Sequence, residues 1–122
     1  MDRYRIYRGG PGMVSWALHR LTGLGVVFFL FLHILDTMLV LLGPQAYETF
    51  IGIYRLPVMR ILEVVLAAAV LYHAGNGVRI TLYDLWPRAT RYDRYVFLVG
   101  IVVYPVVVLP MAYLMLRDVF FL

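Results

Sequence analysis

The chain has 122 residues, 63% of them hydrophobic and 15% charged, against about 25% charged in ordinary soluble domains. That balance excludes a typical soluble domain, and also disorder, which needs low hydrophobicity and high net charge. The net charge is +4, every basic residue is arginine, and there is no cysteine, so this chain alone can build no disulfide, iron–sulfur cluster or thiolate site.

One domain is expected over residues 1–122. Residues 1–12 are basic and polar. The apolar run after them is too long for a signal-peptide core and is followed by no small-residue cleavage site, so it is expected to stay as a membrane helix. A hydrocarbon core about 30 Å thick needs ~20 apolar residues of helix. Residues 21–42, 58–82 and 95–116 each supply such a run, which predicts an all-α integral membrane protein with helices over about 14–42, 58–84 and 93–118. Gly43 and Pro44 mark one loop, and Trp86 and Pro87 the other. Pro105 and Pro110 lie inside the third run and are expected to bend it.

The arginines give the orientation. Arg3, Arg5, Arg8 and Arg20 flank the start of the first span, and Arg79, Arg88, Arg91 and Arg94 surround the second loop. Only Arg55, Arg60 and Arg117 lie on the other side. The bias predicts a cytoplasmic N-terminus and an outside C-terminus. Trp16, Tyr83, Trp86, Tyr92 and Tyr95 fall at the inner interface, where aromatic belts form. Arginines placed this way read as membrane flanks, so no nucleic-acid partner is expected. Three spans enclose little core by themselves, and partner helices are expected.

Polar residues inside the membrane are few. Ser15, His19 and His33 share one helix face, with Asp36 three residues beyond His33. His73 is alone among apolar residues, with Ala69 and Gly77 one turn to either side. Those small neighbours leave a flat recess that could accept a neighbouring helix or a tetrapyrrole whose iron the histidine ligates. A histidine hydrogen-bonded across helices is the plain alternative. By helical rise His73 lies about 9 Å from the Arg79 boundary and His33 about 20 Å from the Arg20 boundary. The two therefore should not clamp one haem, whose axial nitrogens are about 4 Å apart. His19, at the boundary, suits an anionic group or a quinone headgroup, or simple interfacial snorkelling.

Ser15-Trp16-Ala17-Leu18-His19-Arg20-Leu21-Thr22-Gly23 resembles the Ser-x-x-His-Arg-x-(Ser/Thr)-Gly motif of the cytochrome b membrane-anchor subunit of succinate dehydrogenase (respiratory complex II), the SdhC-like family. His73-Ala74-Gly75-Asn76-Gly77-Val78-Arg79 resembles that family's His-x-x-x-Gly-(Ile/Val)-Arg motif, and Asp84 matches the acidic residue that follows. The two motifs occur in order on the first and second spans.

The resemblance implies a multi-pass protein of the inner (cytoplasmic) membrane that binds haem b and a quinone, menaquinone or ubiquinone. It would pass electrons from succinate oxidation to that quinone. The implied partners are a flavoprotein subunit, an iron–sulfur subunit and a second membrane-anchor subunit that supplies the other axial ligand. The anchor of a fumarate reductase is the same chemistry reversed, and a non-redox scaffold or transporter subunit is the alternative of another class. His73 matches the haem iron ligand, Arg20 and Arg79 match arginines of the haem and quinone region, and His19 matches a histidine near the propionates. The family's quinone-site serine stands where this chain has Trp16, with Ser15 one residue earlier; Ile80 replaces a histidine that often follows the second motif. Two-haem relatives carry a histidine near the depth of His33, so the resemblance implies one haem or two, with His33 a ligand of the second. A packing histidine paired with Asp36 is the alternative.

Overall fold

The computed structural model describes residues 9–120. Arg3, Arg5 and Arg8, three of the eight arginines behind the orientation, lie outside the described residues. Four α-helices follow in order: α1 Pro11–Met38, α2 Pro44–Tyr54, α3 Pro57–Leu85 and α4 Asp93–Phe120. Short 3-10 helices occupy Leu39–Leu42 and Pro87–Tyr92.

Proline sets three of the starts. Pro11, Pro44 and Pro57 each stand in the first turn of their helix, where the missing N–H would have had no partner and the fixed φ suits helix. Leu56 and Trp86, each before a proline, are non-helical, as the pyrrolidine ring requires. Gly43 has φ +106°, a conformation natural to glycine alone, and it turns the chain from α1 and its 3-10 extension into α2. α4 runs unbroken through Pro105 and Pro110.

The three spans stand where the hydropathy puts them: Pro11–Leu42, Pro57–Leu85 and Pro87–Phe120 are long and apolar enough to cross a membrane. The segment between the first two, read from the sequence as a short loop, is instead largely the helix α2. Its 11 residues are too few to span a bilayer, and a search for ~20-residue apolar runs passes over such an element.

α3 packs against both α1 and α4, and α2 lies against α3 and the 3-10 helix that extends α1. Among the described residues only Ala89 and Ser15 are buried. Leu24, Phe28, Val102 and Leu109 are each more than 60% exposed. Such surfaces are stable against lipid tails or other helices, not water.

Candidate functional site

α1 and α3 run antiparallel and meet through polar residues at one end. On α1, Ser15, His19 and Thr22 recur at four- and three-residue spacing, which places them on one face. On α3, Tyr72, His73, Asn76 and Arg79 do the same.

Ser15 is the buried polar residue of this contact. Its hydroxyl donates to Asn76 Oδ1 at 3.0 Å and accepts from Arg79 Nη2 and Tyr72 Oη, both at 3.3 Å. One donation and two acceptances fill a hydroxyl. The serine expected at the quinone contact is therefore occupied as a tie between helices. Trp16, one residue on, is 57% exposed, with the Arg20 guanidinium 4.9 Å from its ring centroid. Trp16 and Arg20 face outward while Ser15 faces α3, because adjacent helix residues point about 100° apart.

Arg79 is held from three sides. Besides Ser15 it approaches Asp93, in the first turn of α4, at 3.8 Å, and lies 6.0 Å over the Tyr83 ring. Tyr83 in turn donates to Asp93 at 2.6 Å.

His73 stacks on His19, with ring centroids 4.1 Å apart and planes 9° from parallel. His73 Nδ1 lies 3.2 Å from the His19 carbonyl oxygen and 3.3 Å from Thr22 Oγ1. Gly23 passes beneath the ring so closely that a Cβ there would stand 3.0 Å from His73 Cε1. The recess expected beside Gly77 is filled from within the chain, since a Cβ at Gly77 would meet the His19 ring at 3.8 Å.

The stack corrects the depths read from the sequence, which put His19 at the boundary and His73 about 9 Å inside it. The two are level. Arg79 aligns with Ser15 rather than with Arg20, and five residues of rise shift the register by about 7.5 Å. His33 then lies about 21 Å along α1 from the stacked pair, at 14 residues of rise from His19.

His33 is exposed, stacks on Phe29 at 5.5 Å, and lines a cleft of about 730 Å³ at the far end with Asp36, Tyr54, Glu63 and Met111. Asp36 is not paired with His33. It accepts from the Tyr54 hydroxyl of α2, because α2 folds back over the end of α1. That hydrogen bond, with burial and the nearby carboxylates, pushes the Tyr54 phenol up to about 12.

The sequence reading passed over Asn76, Tyr72 and Tyr54 as site residues. The first two were legible: the 72, 73, 76, 79 spacing is the antiparallel complement of 15, 19, 22. Tyr54 carried no signal, because its helix was not expected.

Among the described residues no three metal-ligating side chains converge, and His73 offers a single nitrogen. His19 Nδ1 and Arg79 Nε are buried with no hydrogen-bond partner. Orphaned buried polar groups are rare in finished proteins. Two of them beside an oriented imidazole fit a site completed by a further group.

The sequence matches the succinate dehydrogenase/fumarate reductase transmembrane subunit family over residues 2–109. It is 45% identical over 89 residues to the succinate dehydrogenase 2 membrane subunit SdhC of Mycobacterium tuberculosis, covering 73% of this chain and 65% of that protein. It is 40% identical over 75 residues to the succinate dehydrogenase hydrophobic membrane anchor subunit of Halobacterium salinarum, covering 61% of this chain and 58% of that one. The aligned segments thus span less than two thirds of either relative. With both motifs and the first two spans inside the family match, the chain belongs to the succinate dehydrogenase/fumarate reductase transmembrane subunit family.

Proposed function

We propose that this chain is a haem b- and quinone-binding membrane anchor of a succinate:quinone oxidoreductase. It sits in the inner membrane with its N-terminus cytoplasmic and is completed by a second anchor subunit, a flavoprotein and an iron–sulfur protein. The observation that carries the reading is the His73 imidazole. Its Nδ1 faces the His19 carbonyl at 3.2 Å, and a carbonyl oxygen can only accept. Nδ1 therefore carries the proton, and in the neutral ring the Nε2 lone pair is free. Metal-ligating histidines have this arrangement, with the second ring nitrogen donating to a carbonyl or carboxylate.

A haem b bound through Nε2 would supply a one-electron carrier between the soluble subunits and the quinone. The chain's own residues do the rest. Gly23 and the His19 carbonyl hold the imidazole, while Ser15, itself tied to Asn76, holds Arg79 further along α3. The exposed Trp16 and Arg20 present an aromatic face and a guanidinium at the inner boundary, which suits a quinone ring and its carbonyl oxygens.

The test is a pyridine haemochrome spectrum of the purified complex, wild type and His73→Ala. Haem b present in the first and lost from the second, with the chain still inserted, is expected. Equal haem in both overturns the assignment of His73. The direction of turnover, succinate oxidation or fumarate reduction, depends on the quinone's potential.

The cleft around His33 favours a second reading, in which the complex holds two haems. About 730 Å³ lies within the usual 300–1,000 Å³ of small-molecule sites, and His33 lies too far along α1 to share a haem with His73. A stack of two haems would suit electron transfer across the bilayer to menaquinone. Haem per complex falling from two to one in His33→Ala supports this; one haem in both makes His33 a packing residue.

A further inference from the structure

Thr22 has no role yet beyond its place in the first motif. Its hydroxyl lies 2.8 Å from the Leu18 carbonyl oxygen and 3.0 Å from that of His19. Both oxygens can only accept, so the hydroxyl proton is committed to them. Toward His73 Nδ1, 3.3 Å away, Thr22 Oγ1 can then only accept. The Nδ1–H thus meets two acceptors, the Thr22 oxygen and the His19 carbonyl, and the carbonyl is itself polarised by the Thr22 proton. Gly23, the next residue, fixes the other coordinate: a Cβ there would press on the ring at 3.0 Å.

We propose that Thr22 is a positioning residue for His73. It turns the imidazole and sets the electron density at its iron-facing nitrogen by sharing the Nδ1 proton. The proposal rests on the reading of His73 as a haem ligand. Packing alone does not explain Thr22, since valine is also β-branched and has nearly the same shape. Losing the hydroxyl removes one acceptor and frees the ring to rotate. Weaker donation from Nδ1 makes Nε2 less basic, which favours ferrous over ferric iron.

The experiment measures haem content, haem midpoint potential and the low-spin ferric EPR spectrum of the assembled complex for wild type, Thr22→Val and Thr22→Ser. The EPR spectrum reports the orientation of the axial imidazoles. Thr22→Val is expected to keep most of its haem, with the potential raised and the largest g value shifted. Thr22→Ser, which restores the acceptor, is expected to return both towards wild type. Should Thr22→Val not assemble, Thr22→Cys, similar in size and a weak acceptor, is expected to show the same shifts at smaller amplitude. Unchanged potential and EPR spectrum in Thr22→Val, or in Thr22→Cys where that is the variant measured, overturn the proposal while leaving His73 as ligand. A wild-type complex without haem overturns both.

Discussion

The His19 and His73 rings lie 4.1 Å apart and within 9° of parallel, so the histidine of the α1 motif flanks the histidine of the α3 motif. Side-chain stacking of this kind contributes about 0.5–1.5 kcal/mol. If His19 acts on the site by its flat face, His19→Phe should retain haem at close to the wild-type level. His19→Ala should bind it about two- to tenfold more weakly, the same energy converted to an affinity. Haem per complex across a detergent-wash series measures both. Equal loss in the two variants would show that a ring nitrogen of His19 matters instead.

Ser15 should behave as a structural residue. Removing its hydroxyl leaves Asn76, Tyr72 and Arg79 each short of a partner, and a part-buried polar group so orphaned costs about 1–3 kcal/mol. Ser15→Ala should lower the Tm of the complex and loosen the contact between α1 and α3. Ser15→Thr should recover part of the loss. Unchanged Tm in Ser15→Ala would mean that water replaces the hydroxyl.

The three spans were legible because each is a run of about 20 apolar residues, and lipid imposes that length on any helix crossing it. The polar stripe of Ser15, His19 and His33 was legible from helical period alone. What that stripe meets was not. The depth of His73 follows from Arg79 only if the arginines stand at equal heights, yet Arg79 pairs with Ser15, five residues before Arg20 and so more than one turn away. The tie between Tyr54 and Asp36 was hidden for another reason. α2 has half the length of a span, and its partner on α1 is 18 residues away in sequence.

If Trp16 and Arg20 hold the quinone, their variants separate the quinone step from dehydrogenation. Both are exposed. Arg20→Ala should slow succinate–quinone turnover by an order of magnitude or more, about the loss of one charge-assisted hydrogen bond, and Trp16→Ala should slow it by removing the aromatic face. They should leave succinate oxidation by an artificial soluble acceptor intact. Parallel loss in both assays would point to failed assembly.

The arginine bias predicts that a reporter fused after α4 reads outside, and one inserted among Pro87–Tyr92 reads inside. Asp93 and Arg79 then lie at the inner end with the histidine pair. A cytoplasmic signal from the C-terminal fusion would invert the molecule and move the His33 cleft to the inner face.

Tyr54 gives a pH dependence with a definite sign. Its phenol donates to Asp36, which with burial raises it from an ordinary 10.0 to about 12. The fold therefore favours the neutral phenol. This contribution is complete below pH 10, declines as the pH rises past the unfolded value, and is gone above about 12. α2 should stay fastened to α1 up to pH 10 and loosen over the next two units. Phenolate absorbance of wild type minus Tyr54→Phe should show one late-titrating tyrosine, and protease cleavage after Arg55 should rise over the same interval. A difference titration centred at 10 would show that the hydrogen bond to Asp36 does not hold in the membrane.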